Sequence, residues 1–258
     1  GIRGGVRYFI TEKVNIDAKK MESATVAFHP NGNTMFFTAW MNKDEKKKLI
    51  YSSKKNGDRW SEPMPLGPEV NVNGYNSIQP SISEDGRFLV FASDRPGGQG
   101  KYDLWYTLLG ADGNIVGAGQ NLGATINTAD DEQAPYYNSR TKKLIYSSNG
   151  KIGLGGFDFY ESEGSLTNWS TPLNLGYPFN SAKDDLYFTA LDELGNEGYI
   201  SSDRSSVCCL EVFRVKRTNL TVTGILTECG STKPIEGVKV TLSGKETEKQ
   251  TVLTDAAG

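Results

Sequence analysis

The chain repeats itself about every 54 residues, and that constrains its fold more than any other feature of its 258 residues. A short apolar strand recurs as Met35-Phe36-Phe37, Leu89-Val90-Phe91, Leu144-Ile145-Tyr146 and Gly198-Tyr199-Ile200, at offsets of 54, 55 and 54. A second anchor follows each one: Leu49-Ile50-Tyr51, Leu104-Trp105-Tyr106, Phe159-Tyr160-Glu161 and Val212-Phe213-Arg214. A third is a connector, Leu-Gly followed two residues later by an apolar residue and Asn. It occurs as Leu66-Gly67 with Val70-Asn71, Leu122-Gly123 with Ile126-Asn127, and Leu175-Gly176 with Phe179-Asn180. Self-similarity at a fixed period of this length marks an array of supersecondary units that bury their faces against one another.

Each anchor is a short β-branched or aromatic run bounded by Gly, Asn, Asp, Ser or Pro, which is the pattern of strands separated by turns. In the second repeat, strands are expected at Gln79 to Ser83, Phe88 to Ser93 and Asp103 to Leu108, with a fourth near Ile115 to Gly119. Asp85-Gly86 closes the first hairpin, because glycine accepts positive φ without a Cβ clash. Four antiparallel strands per repeat is the anatomy of a β-propeller blade. The expected fold class is therefore all-β, a propeller of four-stranded antiparallel blades. Four repeats are visible, and a ring of five, with one blade upstream of residue 1, is the alternative. The fourth repeat stops after its third strand, and the N-terminal run Tyr8-Phe9-Ile10 is expected to complete it and close the ring.

In the second to third strand hairpins, Arg95 is expected to face Asp103 and Arg204 to face Glu211, where the first repeat has Met41 and Leu49. Such pairs contribute under about 1 kcal/mol when exposed. After Arg217 the pattern changes. Leu220 to Leu226 and Val238 to Leu242 alternate like strands around the turn Gly230 to Pro234. The expected division is a propeller over residues 1–218 and the opening of a β-sandwich over 219–258, too short to bury much core.

Composition narrows the chemistry. With 28 basic and 31 acidic residues the net charge is −3, so no global field favours nucleic acid or an anionic membrane. No apolar run approaches the roughly 20 residues of a membrane-spanning helix, so no transmembrane segment is expected, and no export signal opens this fragment. One histidine, His29, and three cysteines exclude a multi-histidine metal site and two metal-binding cysteine pairs. His29 reads as a turn residue. Asp130-Asp131-Glu132 and Asp184-Asp185 lack the alternating oxygen ligands of a Ca²⁺ loop. No metal, cofactor or catalytic residue is assigned. Trp60 and Trp169 read as packing between blades.

The string QPSISEDGRFLVFASDRPGGQGKYDLWY resembles the PD40 or TolB-type propeller repeat, and the resemblance covers residues 1 to 217. In the third repeat Arg140-Thr141 replaces the usual Asp-Gly and in the fourth Leu194 replaces the Asp, which opens the question of turn type. Residues 220 to 258 resemble a carboxypeptidase regulatory-like domain, a transthyretin-like sandwich. The order of the two is similar to that in periplasmic components of the Bacteroidetes type IX secretion system. The resemblance implies a scaffold in the periplasm, associated with the outer membrane, whose partners are other secretion-system proteins. Peptidoglycan would be reached only through a further domain not present here.

The expected function is a non-enzymatic protein-interaction module. The alternatives are a small-molecule or glycan binder in the propeller channel, and a sialidase-like glycosidase suggested by Ser83-Glu84-Asp85-Gly86. The candidate partner-binding face carries the glycine-rich tips, Gly97, Gly98 and Gly100 in one repeat and Gly153, Gly155 and Gly156 in the next. An oxidising compartment permits disulfides. Three free thiols is one reading; the other pairs Cys229 with Cys208 or Cys209.

Overall fold

The computed structural model describes residues 2–3, 6–7, 21–41, 47–217, 224–242 and 250–258. The chain divides into two compact units, Gly1–Arg217 and Thr218–Gly258. The first is a β-propeller arrangement of four antiparallel blades, all-β as the repeats require. Counting outward from the channel, blade 1 is Met21–Phe28, Thr34–Met41 and Leu49–Asn56, and blade 2 is Ser77–Ile82, Phe88–Ser93 and Asp103–Leu108. Blade 3 is Glu132–Asn138, Lys143–Ser148 and Asp158–Ser165, and blade 4 is Asp185–Ala190, Glu197–Ser202 and Glu211–Lys216.

The outer edge is less regular. In blades 1 and 3 two short strands share it, Arg59–Trp60 with Met64–Pro65 and Asn168–Trp169 with Leu173–Asn174. In blade 2 the fourth strand is Gln120–Asn121 rather than Ile115 to Gly119, where only Ile115 bridges to Leu109. The Val116 N–H donates to the Leu108 carbonyl at 2.9 Å and Thr107 Oγ1 to the Gly117 carbonyl at 2.5 Å, so that stretch is held by one bridge and a side chain rather than by a full strand. Blade 4 shows three strands among the described residues. Tyr8 to Ile10, expected to complete it, lies outside them.

Middle strands are apolar on both faces because each blade is sandwiched. In Phe88–Ser93 the pleat sends Val90 and Ala92 one way and Leu89 and Phe91 the other, and all four are fully buried. Leu89 and Phe91 pack with Phe36 and Ile50 of blade 1, while Val90 and Ala92 pack with Leu144 and Tyr146 of blade 3. Ile145 and Phe159 continue to Phe188 and Ile200 of blade 4. Trp169 joins the core between blades 2 and 3, edge-on to Tyr137 at 5.7 Å. His29 does more than fill a turn: it is buried, and its Nε2 donates 2.9 Å to the Gly86 carbonyl of blade 2, while Nδ1 accepts from Asn31.

The turn that lacks Asp-Gly resolves by a one-residue shift. Gly32, Gly86 and Gly195 take positive φ in the other blades, but in blade 3 it is Lys142, at φ 55°, and not Thr141, that does so. Asn138 supplies the turn by accepting from the Thr141 N–H at 2.9 Å. Lys142 is exposed, so Lys142→Gly is expected to raise unfolding free energy by about 0.5–1 kcal/mol, read by urea denaturation. A loss of stability would show that the lysine side chain contributes more than its backbone costs.

In the second unit, Lys239–Leu242 pairs with Gln250–Leu253 and Thr227 bridges to Pro234. Leu226 ties this unit's last residue, its N–H reaching the Gly258 carbonyl at 2.7 Å. Ile225 and Leu253 remain 75% and 68% exposed.

Candidate functional site

The three anchors of the repeat are parts of one device. In each of the first three blades the connector asparagine lays its amide against one residue of the third strand, taking its N–H and its C=O together. Asn180 accepts from Phe159 N at 2.7 Å and donates to Phe159 O at 3.0 Å. Asn127 does the same to Leu104 at 2.8 and 3.1 Å, and Asn71 to Ile50 at 3.0 and 2.8 Å. The side-chain amide thus replaces a peptide group and continues the ladder where no strand lies. The Trp-Ser motif is a second clamp: Ser61 and Ser170 pair with Lys54 and Glu163 through N–H, carbonyl and hydroxyl.

The arginines of the hairpins do not make the expected pairs. Arg95 turns away from Asp103 and caps the connector, donating to Glu69 O at 3.0 Å, to Val70 O and to Ser93 Oγ at 3.2 Å. Its guanidinium lies 4.9 Å from the rings of both Phe91 and Trp105. Burial lowers its pKa to about 10, so it stays a cation at neutral pH. Arg204 likewise reaches Pro178 O and Phe179 O, and its ion pair is with buried Asp185 at 2.6 Å, not with Glu211. A facing position in a hairpin does not predict these partners, because a long side chain reaches the next connector.

Asp103 instead organises the glycine-rich tip. It accepts from Gln99 N at 2.6 Å and Gly100 N at 3.1 Å, and Asp158 accepts from Leu154 N at 2.6 Å and Gly155 N at 3.1 Å. Burial raises the Asp158 carboxyl above its ordinary value. The glycines permit close approach. A Cβ on Gly98 or Gly153 would overlap Asp103 or Asp158; one on Gly100 would overlap the Ala129 backbone, and ones on Gly155 and Gly156 would meet Lys183 and Asp184. Gly97 sits at φ 92°. Each tip is therefore latched to the connector of the next blade. Lys101 pairs with Asp130 at 2.8 Å and Phe157 N donates to Asp184 at 2.9 Å. The aspartates considered for Ca²⁺ serve these latches, and buried Glu132 accepts from Thr128 and Ser148 at 2.6–2.7 Å.

Between these latches the tips expose apolar side chains. Ile152 is 98% exposed, Leu154 55% and Val207, in the corresponding loop of blade 4, 106%. Beside Val207, Cys208 and Cys209 are joined to each other and Cys229 is a free, exposed thiol. Both readings of the cysteines, three free thiols and a bond from Cys229 to Cys208 or Cys209, are thus overturned: the adjacent residues bridge within their own exposed loop.

A second region lies in the channel. A cavity of about 370 Å³ is lined by all four inner strands, Thr25–Phe28, Gln79–Ile82, Ala134–Tyr136 and Tyr187–Thr189. Each inner strand is bulged at one repeat position, and there Thr25, Gln79, Ala134 and Tyr187 take φ of 40°, 56°, 49° and 58°. Non-glycine residues in this region carry strain of about 1–3 kcal/mol each, a cost that recurs at functional positions. Gln79 is the hub: its Nε2 donates to Gln133 Oε1 at 3.1 Å and Tyr187 Oη at 2.8 Å, and its Oε1 accepts from Ala134 N at 2.8 Å. Sequence reading missed these residues, because the repeat places Thr, Gln, Ala and Tyr at the four positions and no shared residue type marks them. A second cavity of about 450 Å³ shares Tyr136 and Thr189 and adds Glu84, Arg140 and Leu191 to Glu193. It opens among the first hairpin turns, the face opposite the glycine-rich tips. Burial and the accepting Glu84 carboxylate, 2.7 Å away, push the Tyr136 phenol well above its usual pKa.

A scan against protein-family models finds no match, and a search of curated proteins finds none. Among solved structures, the chain is similar to TolB from Acinetobacter baumannii, at 15% identity and TM-score 0.42, over 75% of this chain and 43% of that one. It is also similar to a puromycin-hydrolysing peptidase of Mycobacterium tuberculosis, at 15% identity and TM-score 0.47, over 76% of this chain and 27% of that one. An endo-arabinase from Bacteroides thetaiotaomicron matches at 15% identity and TM-score 0.47, over 73% of this chain and 71% of that one. The chain spans less than half the length of the first two. The likeness reaches architecture alone. It nevertheless corrects the expectation that the chain is not an enzyme: the similar structures include enzymes, and carboxylate-based catalysis needs no histidine, so scarcity of histidine excludes nothing.

Proposed function

We propose that the chain is a protein-interaction module of the periplasm, working at the outer membrane with other proteins of the type IX secretion machinery, as PorE does. The observation that carries the docking role is the tip face. Ile152, Leu154 and Val207 are displayed on equivalent loops of adjacent blades, and the blade 2 and blade 3 tips are braced by their aspartates and by latches to the next connector. Loops ordered before binding forfeit little entropy on association, and apolar anchors within a polar rim supply most of the affinity. The PD40 resemblance of residues 1 to 217 supports the compartment, and residues 219–258 belong in this reading to a regulatory-like sandwich. Gly97, Gly98, Gly100, Gly153, Gly155 and Gly156 act here as supports that let the tips pack closely while their neighbours make contact.

A photo-crosslinking residue placed at Ile152 in the full chain is expected to capture discrete periplasmic protein partners, while the same residue at Asp85, on the opposite face, captures none of them. Equal capture from both positions, or none from Ile152, would remove the tip face from consideration.

A further inference from the structure

The channel mouth is built differently from the tip face. Its lining carries no charged side chain, yet its polar groups are organised. Gln79, almost fully buried, spends its whole amide on Gln133, Tyr187 and the Ala134 N–H, which fixes those groups across three blades. Because Tyr187 accepts from Gln79, its O–H stays available as a donor in the cavity it lines, with no further partner among the described residues. Bulges hold Thr25, Gln79, Ala134 and Tyr187 in left-handed backbone, one on each inner strand.

We propose that this mouth is a binding site for a short uncharged oligosaccharide, independent of the docking role of the opposite face. Sugar hydroxyl oxygens accept from the Tyr187 hydroxyl, which lines the cavity, while Gln133 lies behind Gln79 and holds it in place. Phe28, 48% exposed, and the neutral Tyr136 ring supply the apolar wall that a pyranose C–H face needs. The cavity of about 370 Å³ falls at the small end of the roughly 300–1,000 Å³ typical of ligand sites. The adjoining cavity sets the charge preference. Its lining sets Glu84, Asp192 and Glu193 against one cation, Arg140, which is already paired with Glu193, so an anionic glycan is disfavoured.

The test is a titration of the full ¹⁵N-labelled chain with cellotriose and with N,N′-diacetylchitobiose, following the side-chain amide signals of Gln79 and Gln133. Saturable shifts with a dissociation constant on the order of 1 mM are expected, the level set by a few hydrogen bonds and a small apolar contact. Tyr187→Phe is expected to weaken binding about tenfold while the chain stays folded, since phenylalanine keeps the ring in the cavity and removes only the hydroxyl donor. A uronate-bearing trisaccharide should bind about tenfold more weakly than cellotriose. The proposal is overturned if neither neutral sugar shifts these amides, if a capped trialanine peptide saturates them while the sugars do not, or if folded Tyr187→Phe binds as the parent does. Loss of partner capture at Ile152 would leave all of these readings unchanged, so failure of one site is separable from failure of the other.

Discussion

Asn180→Leu is expected to lower unfolding free energy by about 1–3 kcal/mol, and Asn127→Leu by a similar amount. Both asparagines are essentially inaccessible, and each is the sole side chain laid against one N–H and one C=O of the third strand. Leucine is close in volume but leaves the buried Phe159 or Leu104 N–H without a partner, at about 1–3 kcal/mol, while the C=O keeps the Leu175 or Leu122 N–H at 3.0 Å. Asn71→Leu should cost less, because Asn71 is only half-buried and water can replace part of its amide. Urea denaturation of the three variants at one temperature reads the ranking. A loss under about 1 kcal/mol for Asn180→Leu would show that the amide ladder is dispensable.

Arg95→Met is expected to cost about 3 kcal/mol. Methionine keeps part of the apolar stem against Phe91 and Trp105, but the carbonyls of Glu69 and Val70 and the Ser93 hydroxyl lose a charged donor together. Arg204→Met provides the contrast: its partner Asp185 is wholly buried, so the loss there also strands a carboxylate, whose remaining contacts are Ser181 N and Oγ. That variant should therefore lose more stability than Arg95→Met, since removing one partner of a buried ion pair leaves its charge without a counter-ion. Equal losses in the two variants would count against this assignment of partners.

Much of the propeller is legible in the sequence because each blade repeats the same solution. The apolar runs at Phe88–Ser93 and Lys143–Ser148 mark strands buried on both faces, and the connector asparagines recur because a side-chain amide must stand in for a missing strand. What is hidden is whatever depends on a neighbour distant in the chain. Arg95 and Asp103 sit opposite in the hairpin, but one reaches back 25 residues to Val70 and the other binds its own tip. The channel is hidden for another reason. Its left-handed positions are occupied by Thr, Gln, Ala and Tyr rather than Gly, so no residue type announces the bulge, and Gln79 looks like any polar residue in a strand. The shift of the blade 3 turn to Lys142 is of the same kind.

The docking role of the tip face rests on Ile152 and Val207, and one comparison tests it directly. Full-length wild-type chain and the double variant Ile152→Asp, Val207→Asp are used as baits in the same cell-envelope extract, with captured proteins quantified side by side. Both side chains are exposed, so the variant should melt within a degree or two of wild type. Loss of the captured partners by about tenfold or more is the expected result, because two carboxylates would be buried without counter-charges at the centre of the contact. Undiminished capture of the same partners by a folded double variant would contradict it.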